Sequence, residues 1–118
     1  MSSFFVTLQQ IVNECNLEII YAGKDLNAVR ITTTDVSRPG LQFFDFFDYF
    51  DQNRIQIFGK VERTFLEQKT SEERLHCIRE LCKREIPAII VSRNQEILPE
   101  FIIAAEEYKI PILRTVQT

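Results

Sequence analysis

Hydrophobic positions along the chain switch repeatedly between helical and strand spacing. Thr7-Leu-Gln-Gln10 has the form of a capping box, with Thr7 as N-cap and Gln10 reaching back. Phe5, Leu8, Val12 and Cys15 then fall on one helical face, which predicts an amphipathic helix to about Asn16. Leu17, Ile19 and Tyr21 alternate with Glu18 and Ile20 as in a strand, and Gly23-Lys24-Asp25 supplies a turn. Val29, Ile31 and Thr33 lead into the stretch around which the rest is organised. Ile31-Thr-Thr-Thr-Asp-Val-Ser37 is rich in β-branched residues and is expected as one strand. Pro39 and Gly40 turn the chain after it, and an aromatic run from Phe43 to Phe50, with Asp45, Asp48 and Asp51, is expected as a short helix.

The second half repeats the alternation. Arg54-Ile-Gln-Ile-Phe58 reads as a strand closed by Gly59-Lys60, and Val61 to Gln68 as a helical turn or two with Phe65 and Leu66 inward. Thr70-Ser-Glu-Glu73 is another capping box, opening a helix whose face is Leu75, Ile78, Leu81 and Cys82 and which Pro87 stops. Ala88-Ile-Ile-Val91 is an unbroken apolar strand of the kind covered on both faces. Ser92-Arg93-Asn94 turns the chain. Pro99 suits the first position of a helix to Tyr108 with Phe101, Ile102 and Ala105 inward, and Ile110-Pro-Ile-Leu113 is the last strand. Strands alternating with helices predict an α/β fold with a mixed, mostly parallel sheet flanked by helices. Right-handed crossovers would bring the carboxyl ends of several strands to one edge.

Composition narrows the function classes. A chain of 118 residues is expected as a single domain, and 45% hydrophobic with 26% charged residues is ordinary for a globular protein. The net charge of −3 argues against a general nucleic-acid binder. Apolar runs fall well short of the ~20 residues of a membrane span, and no signal-peptide pattern opens the chain, so no membrane partner and a cytoplasmic location are expected. Cys15, Cys77 and Cys82 form no C-x-x-C pair, and His76 beside Cys77 makes a poor ligand pair on a helix, so no metal is expected.

Catalytic motifs are missing. Gly59-Lys60 could end a phosphate-binding loop, but Arg54 stands where its first Gly belongs and Val61 where Ser or Thr belongs. No G-x-S-x-G and no kinase Gly-rich loop occur. No catalytic or cofactor-binding residue is therefore assigned. Arg38 (with Gly40 beside it), Lys60 and Arg93 each follow an expected strand and precede an expected helix or helical turn. If those strands are neighbours, cations and helix N-termini converge in an anion-binding arrangement. The alternative is a set of solvated loop residues.

Several segments together carry a family likeness: Ile31-Thr-Thr-Thr-Asp-Val-Ser-Arg-Pro-Gly-Leu41, Phe47-Asp-Tyr-Phe50, Arg54-Ile-Gln-Ile-Phe-Gly-Lys-Val-Glu62, Phe65-Leu-Glu-Gln68, Ala88-Ile-Ile-Val-Ser-Arg93 and Ile110-Pro-Ile-Leu-Arg114. In this order they resemble the N-terminal domain of bacterial HPr kinase/phosphorylase, with Ser37-Arg38-Pro39-Gly40 and Ile57-Phe58-Gly59-Lys60 the most specific pieces. The family commonly has a Pro after Phe-Asp-Tyr, where this chain has Asp51-Gln52-Asn53. The resemblance implies a cytoplasmic, bifunctional enzyme of carbon catabolite control. Such an enzyme phosphorylates a serine of HPr with ATP or pyrophosphate and Mg²⁺, and reverses the reaction. Both reactions would belong to a C-terminal P-loop domain outside this chain, leaving a non-catalytic regulatory or assembly domain without a cofactor of its own. It further implies a homo-oligomer, the family hexamer, and a fold similar to the N-terminal domain of Mur ligases. A small-ligand module for a nucleotide or sugar phosphate, or a stand-alone interaction domain, are the alternative functions.

On a helical wheel Phe43, Phe44, Phe46, Phe47, Tyr49 and Phe50 cover far more than the stripe of about 100° that one packed face needs. That surplus marks the run as a candidate contact surface for another subunit or for the kinase domain.

Overall fold

The computed structural model describes residues 5–33, 35–40, 42, 47 and 50–116. Strand β1 (Val6–Thr7) passes directly into helix α1 (Leu8–Cys15). Thr7 sets that boundary: its Oγ1 accepts the Gln10 N–H at 3.2 Å while Gln10 Oε1 accepts the Thr7 N–H at 2.8 Å, a reciprocal cap. Asn16 ends the helix in the left-handed region. Strand β2 (Glu18–Tyr21) follows, then a 3₁₀ turn (Leu26–Ala28), β3 (Arg30–Ile31), β4 (Val36–Ser37) and β5 (Ile55–Phe58). Helix α2 (Lys60–Glu67) starts at Gly59, and α3 (Ser71–Cys82) at the expected Thr70–Glu73 cap, whose two bonds are 3.2 and 2.9 Å. Strand β6 (Ile89–Val91), α4 (Pro99–Tyr108) with Pro99 in its first turn, and β7 (Ile112–Arg114) complete the chain.

The main sheet has the order β2-β7-β6-β5-β4. Strands β4, β5, β6 and β7 run parallel, and β2 joins β7 antiparallel. This is the expected mixed, mostly parallel α/β architecture. Alternation along the strands divides the core in two. Phe58, Ile89, Val91 and Ile112 face α2, α3 and α4, meeting Leu66, Ile78, Leu81 and Phe101. Ile55, Ile90 and Leu113 face the opposite layer, meeting Leu8, Val12, Leu26 and Ile31. Phe58 and Phe101 stack edge to face, 4.8 Å between centroids.

Some expectations are corrected. The β-branched stretch from Ile31 to Ser37 is not one strand. Its start, β3, pairs with β1 in a separate antiparallel ribbon, and its end, β4, joins the main sheet beside β5. Between them the Asp35 N–H donates to Thr33 Oγ1 at 3.1 Å, a local bond that replaces a ladder bond. Helix α3 ends at Cys82, before Pro87, through a turn in which Glu85 takes φ 56. Phe5 is not on the α1 face: it lies ahead of β1, exposed, with the Arg30 guanidinium 4.7 Å from its ring centroid, and Cys15 at the end of α1 is exposed as well.

The expected aromatic helix lies mostly outside the described residues, which include neither Phe43, Phe44 and Phe46 nor Tyr49. Phe47 and Phe50 are described. They contact each other edge to face at 5.3 Å and pack against the α2–α4 core, and the Arg84 guanidinium lies 3.3 Å from the Phe47 ring centroid.

Candidate functional site at the carboxyl edge of the sheet

Parallel register brings the strand ends together. Ser37 lies opposite Gln56, Phe58 opposite Val91, and Val91 opposite Arg114. The residues that follow, Arg38, Gly59, Ser92 and Thr115, therefore emerge from one edge of the sheet. The Ser92 N–H donates to the Phe58 carbonyl at 3.1 Å and the Thr115 N–H to the Val91 carbonyl at 2.9 Å, which extends the ladder one step past the strands.

Glu62 organises this edge. Its side chain is almost fully buried, and Oε1 accepts the Gly59 N–H at 2.7 Å while Arg38 Nη1 approaches the same oxygen at 3.3 Å. Gly59 is needed for this closeness. A Cβ there would stand 2.6 Å from Arg38 Nη1, 3.1 Å from Glu62 Oε1 and 3.4 Å from Ser92 Oγ. The first orphan N–H of α2 is thus satisfied internally, and the Arg38 charge is partly balanced by a carboxylate.

Of the cations picked out from the sequence, the structure puts the backbone turns of Arg38, Lys60 and Arg93 on this one edge. Their side chains differ in surroundings. All three are exposed, but Arg38 also leans on Glu62, while Lys60 lies in the first turn of α2 and Arg93 takes φ 58. Gly40 is exposed too, and its N–H donates to Gln42 Oε1 at 3.3 Å. Open space surrounds it, so no contact demands a glycine there.

Sequence reasoning missed Glu62 and Ser92. Glu62 had a usable signal, an acidic residue three positions after a helix-opening Gly. It also missed a polar pocket of about 360 Å³ on the flank of β4, walled in part by Ser37, Arg38, Asp51 and Arg54. On the other face an apolar cavity of about 540 Å³ opens between Ile11, Cys15, Ile31, Val36, Ile55 and Ile90. Among the described residues no cluster of three or more His, Cys, Asp or Glu side chains could hold a metal ion, and no helix is long and apolar enough to cross a membrane.

Residues 6–118 match the family described as HPr Serine kinase N terminus. The chain belongs to that family. Relatives of the family include the HPr kinase/phosphorylase of Streptococcus equinus, 44% identical over 93% of this chain and 36% of its own length. Those of Streptococcus uberis and Streptococcus pyogenes serotype M5 are 43% and 41% identical over 93% and 92% of this chain. This chain spans about a third of the length of these relatives, 36% and 35% in the last two. A solved structure of similar fold is the crystal structure of the CBS and DRTGG domains of the regulatory region of Clostridium perfringens pyrophosphatase, complexed with its activator diadenosine tetraphosphate. It superposes with a TM-score of 0.63 over 96% of this chain and 42% of that one, at 16% identity, a likeness of fold.

Proposed function

We propose that this chain is the regulatory and assembly domain, without catalysis of its own, of a cytoplasmic HPr serine kinase/phosphorylase acting in carbon catabolite control. The observation that carries the reading is the family match over residues 6–118, in relatives named HPr kinase/phosphorylase of which this chain covers only 36%. HPr, ATP or pyrophosphate, and Mg²⁺ would meet the remainder of such an enzyme. The sheet edge supports the division of labour. Phosphoryl transfer depends on backbone and cations that cradle phosphates and position Mg²⁺. Here the Gly59 N–H is already taken by Glu62. The test is a phosphoryl-transfer assay with the purified chain, HPr, ATP and Mg²⁺: no turnover above background is expected, and measurable turnover would refute the assignment.

Assembly is the role proposed for the aromatic run, with Phe46 and Tyr49 as contact residues and a homo-oligomer as product. Burying one additional Phe ring contributes roughly 2 kcal/mol, so a few rings would hold subunits together. Sedimentation velocity is expected to show an oligomer that Phe46→Asp or Tyr49→Asp dissociates. A chain that sediments as a monomer at every concentration would remove the assembly role.

A second reading is a ligand module for a nucleotide or sugar phosphate. One observation favours it: the turns of Arg38, Lys60 and Arg93 share one sheet edge, the place where open α/β sheets receive ligands. A thermal shift with phosphorylated compounds is its direct check.

A further inference from the structure

The polar pocket on the flank of β4 shares Arg38 alone with the three cations of the strand edge. Ser37, Arg38, Gln42, Asp51 and Arg54 supply its polar walls, and neither Lys60 nor Arg93 lines it. Its arginines are loosely held. Arg38 touches Glu62 through Nη1 alone at 3.3 Å, and Arg54 reaches Asp51 through Nε at 3.3 Å and Asp35 through Nη2 at 3.6 Å. A good charge-assisted bond is shorter, roughly 2.8 Å. Two arginines elsewhere reach that length, Arg114 gripping Glu18 Oε1 with two nitrogens at 2.8 and 3.0 Å and Arg79 meeting Glu107 at 2.6 Å, while Arg63, Arg74 and Arg84 stand 3.5–4.0 Å from their carboxylates.

Among the described residues the pocket is also richer in donors than in acceptors. Each guanidinium offers more N–H groups than these contacts use, and the Ser37 hydroxyl adds another. Among the described residues of the wall the one carboxylate is already engaged, since Asp51 Oδ1 accepts the Asn53 N–H at 2.9 Å and Oδ2 accepts Arg54. A concave, donor-rich site of about 360 Å³ is matched by a small ligand rich in acceptors, and the oxygens of a phosphate group fit guanidinium forks.

We infer that this pocket binds the phosphate group of a small phosphomonoester, with Arg38 and Arg54 as its clamps. The inference rests on the ligand-module reading and moves its centre from Lys60 and Arg93 to Arg54. Binding draws Arg38 from Glu62 to the phosphate. Glu62 keeps the Gly59 N–H, so the start of α2 stays capped.

Isothermal titration of the 118-residue chain with glucose 6-phosphate and AMP, against glucose, adenosine and inorganic phosphate, tests this. Both esters bind, the uncharged controls do not, and inorganic phosphate binds more weakly than the esters. Arg38→Gln and Arg54→Gln each weaken the esters by about tenfold or more, the scale of a lost charge-assisted bond, while Lys60→Gln and Arg93→Gln stay within about twofold. Arg54 also ties Asp35 and Asp51, so Gln42→Glu serves as a second variant. Its carboxylate can still accept the Gly40 N–H, yet it places negative charge in the pocket, and it abolishes binding by a chain whose circular dichroism shows it folded. Inorganic phosphate binding as tightly as the esters would overturn the phosphomonoester assignment. Binding lost in Lys60→Gln and Arg93→Gln but kept in Arg54→Gln would overturn the pocket and leave the ligand module at the strand edge. Absence of heat with every phosphorylated probe would overturn both.

Discussion

Two glycines in this chain are reserved for different physical reasons. Gly59 has extended backbone at φ −95, which any residue adopts, and what it supplies is room for Arg38 and Glu62. Both crowding atoms are ends of flexible side chains, so Gly59→Ala is accommodated by pushing Arg38 off Glu62, at a cost of about 1 kcal/mol. Gly23 sits at φ 74, and a Cβ there would press on the Lys109 backbone at 3.0 Å as well as on the Tyr21 ring at 2.9 Å. Backbone cannot step aside, so Gly23→Ala is expected to cost about 2 kcal/mol or more. Urea titrations of the two variants measure the order, and a Gly59→Ala loss equal to that of Gly23→Ala would show that the edge is more rigid than its side chains imply. Glu62 is the companion case. Truncating it to Ala leaves the Gly59 N–H without its buried acceptor, an expected loss of about 2 kcal/mol. Glu62→Gln keeps an amide oxygen there and should recover part of that loss in the same titrations.

Element boundaries follow caps, and caps are local, which is why α1, α3 and α4 were legible from short windows: Thr7–Gln10, Thr70–Glu73 and Pro99 are each read within one turn. The α3 cap carries a pH signature. Hydrogen bonds from the Thr70 backbone and then its side chain hold the Glu73 carboxyl below its ordinary value of 4.5. A lowered folded-state pKa gives stability that is present above the unfolded value and lost as pH falls through the folded one. Separately, loss of the N-cap hydroxyl in Thr70→Ala is expected to cost ~1 kcal/mol. The melting-temperature gap between wild type and Glu73→Gln is expected to close as pH drops below 4.5; a gap constant with pH would mean that Glu73 does not act through its charge. What could not be read locally is where β3 ends and β4 begins. Their residue types are alike, and the division depends on partners far away in sequence, β1 for one and β5 for the other. The candidate site shows the same limit. Arg38, Lys60 and Arg93 stand out because turns punctuate strands, whereas the pairing of Arg38 with Glu62, and the place of Arg54 beside Ser37, are set only once β4 and β5 align.

At the scale of the whole molecule, one sheet serves two cores, and this ties the layers into a single cooperative unit. Ile89 and Val91 belong to the α2–α4 side and Ile90 to the α1 side, so opening either layer exposes strand β6 to water. The cysteines report on this coupling. Cys82 is wholly buried between α3 and the sheet, and burial, with a smaller contribution from the Glu107 charge, pushes its thiol up to about 12. Cys77 is buried in the same core, while Cys15 is exposed at the end of α1. The thiolate is the reactive form, so at pH 8 a buried thiol titrating near 12 is inert while the fold holds. A thiol reagent added to the native chain is therefore expected to label Cys15 rapidly and the other two slowly, and Cys15→Ser should remove the fast phase alone. Cys77 and Cys82 lie in the α2–α4 core, and if the sheet couples it to the other core their labelling needs the global transition. Its logarithm should rise with urea at a slope close to the equilibrium m-value when reclosing outpaces labelling. Rapid labelling of Cys82 without denaturant, or a slow phase insensitive to urea, would mean that the α3–α4 layer opens on its own and that the two cores are not coupled through the sheet.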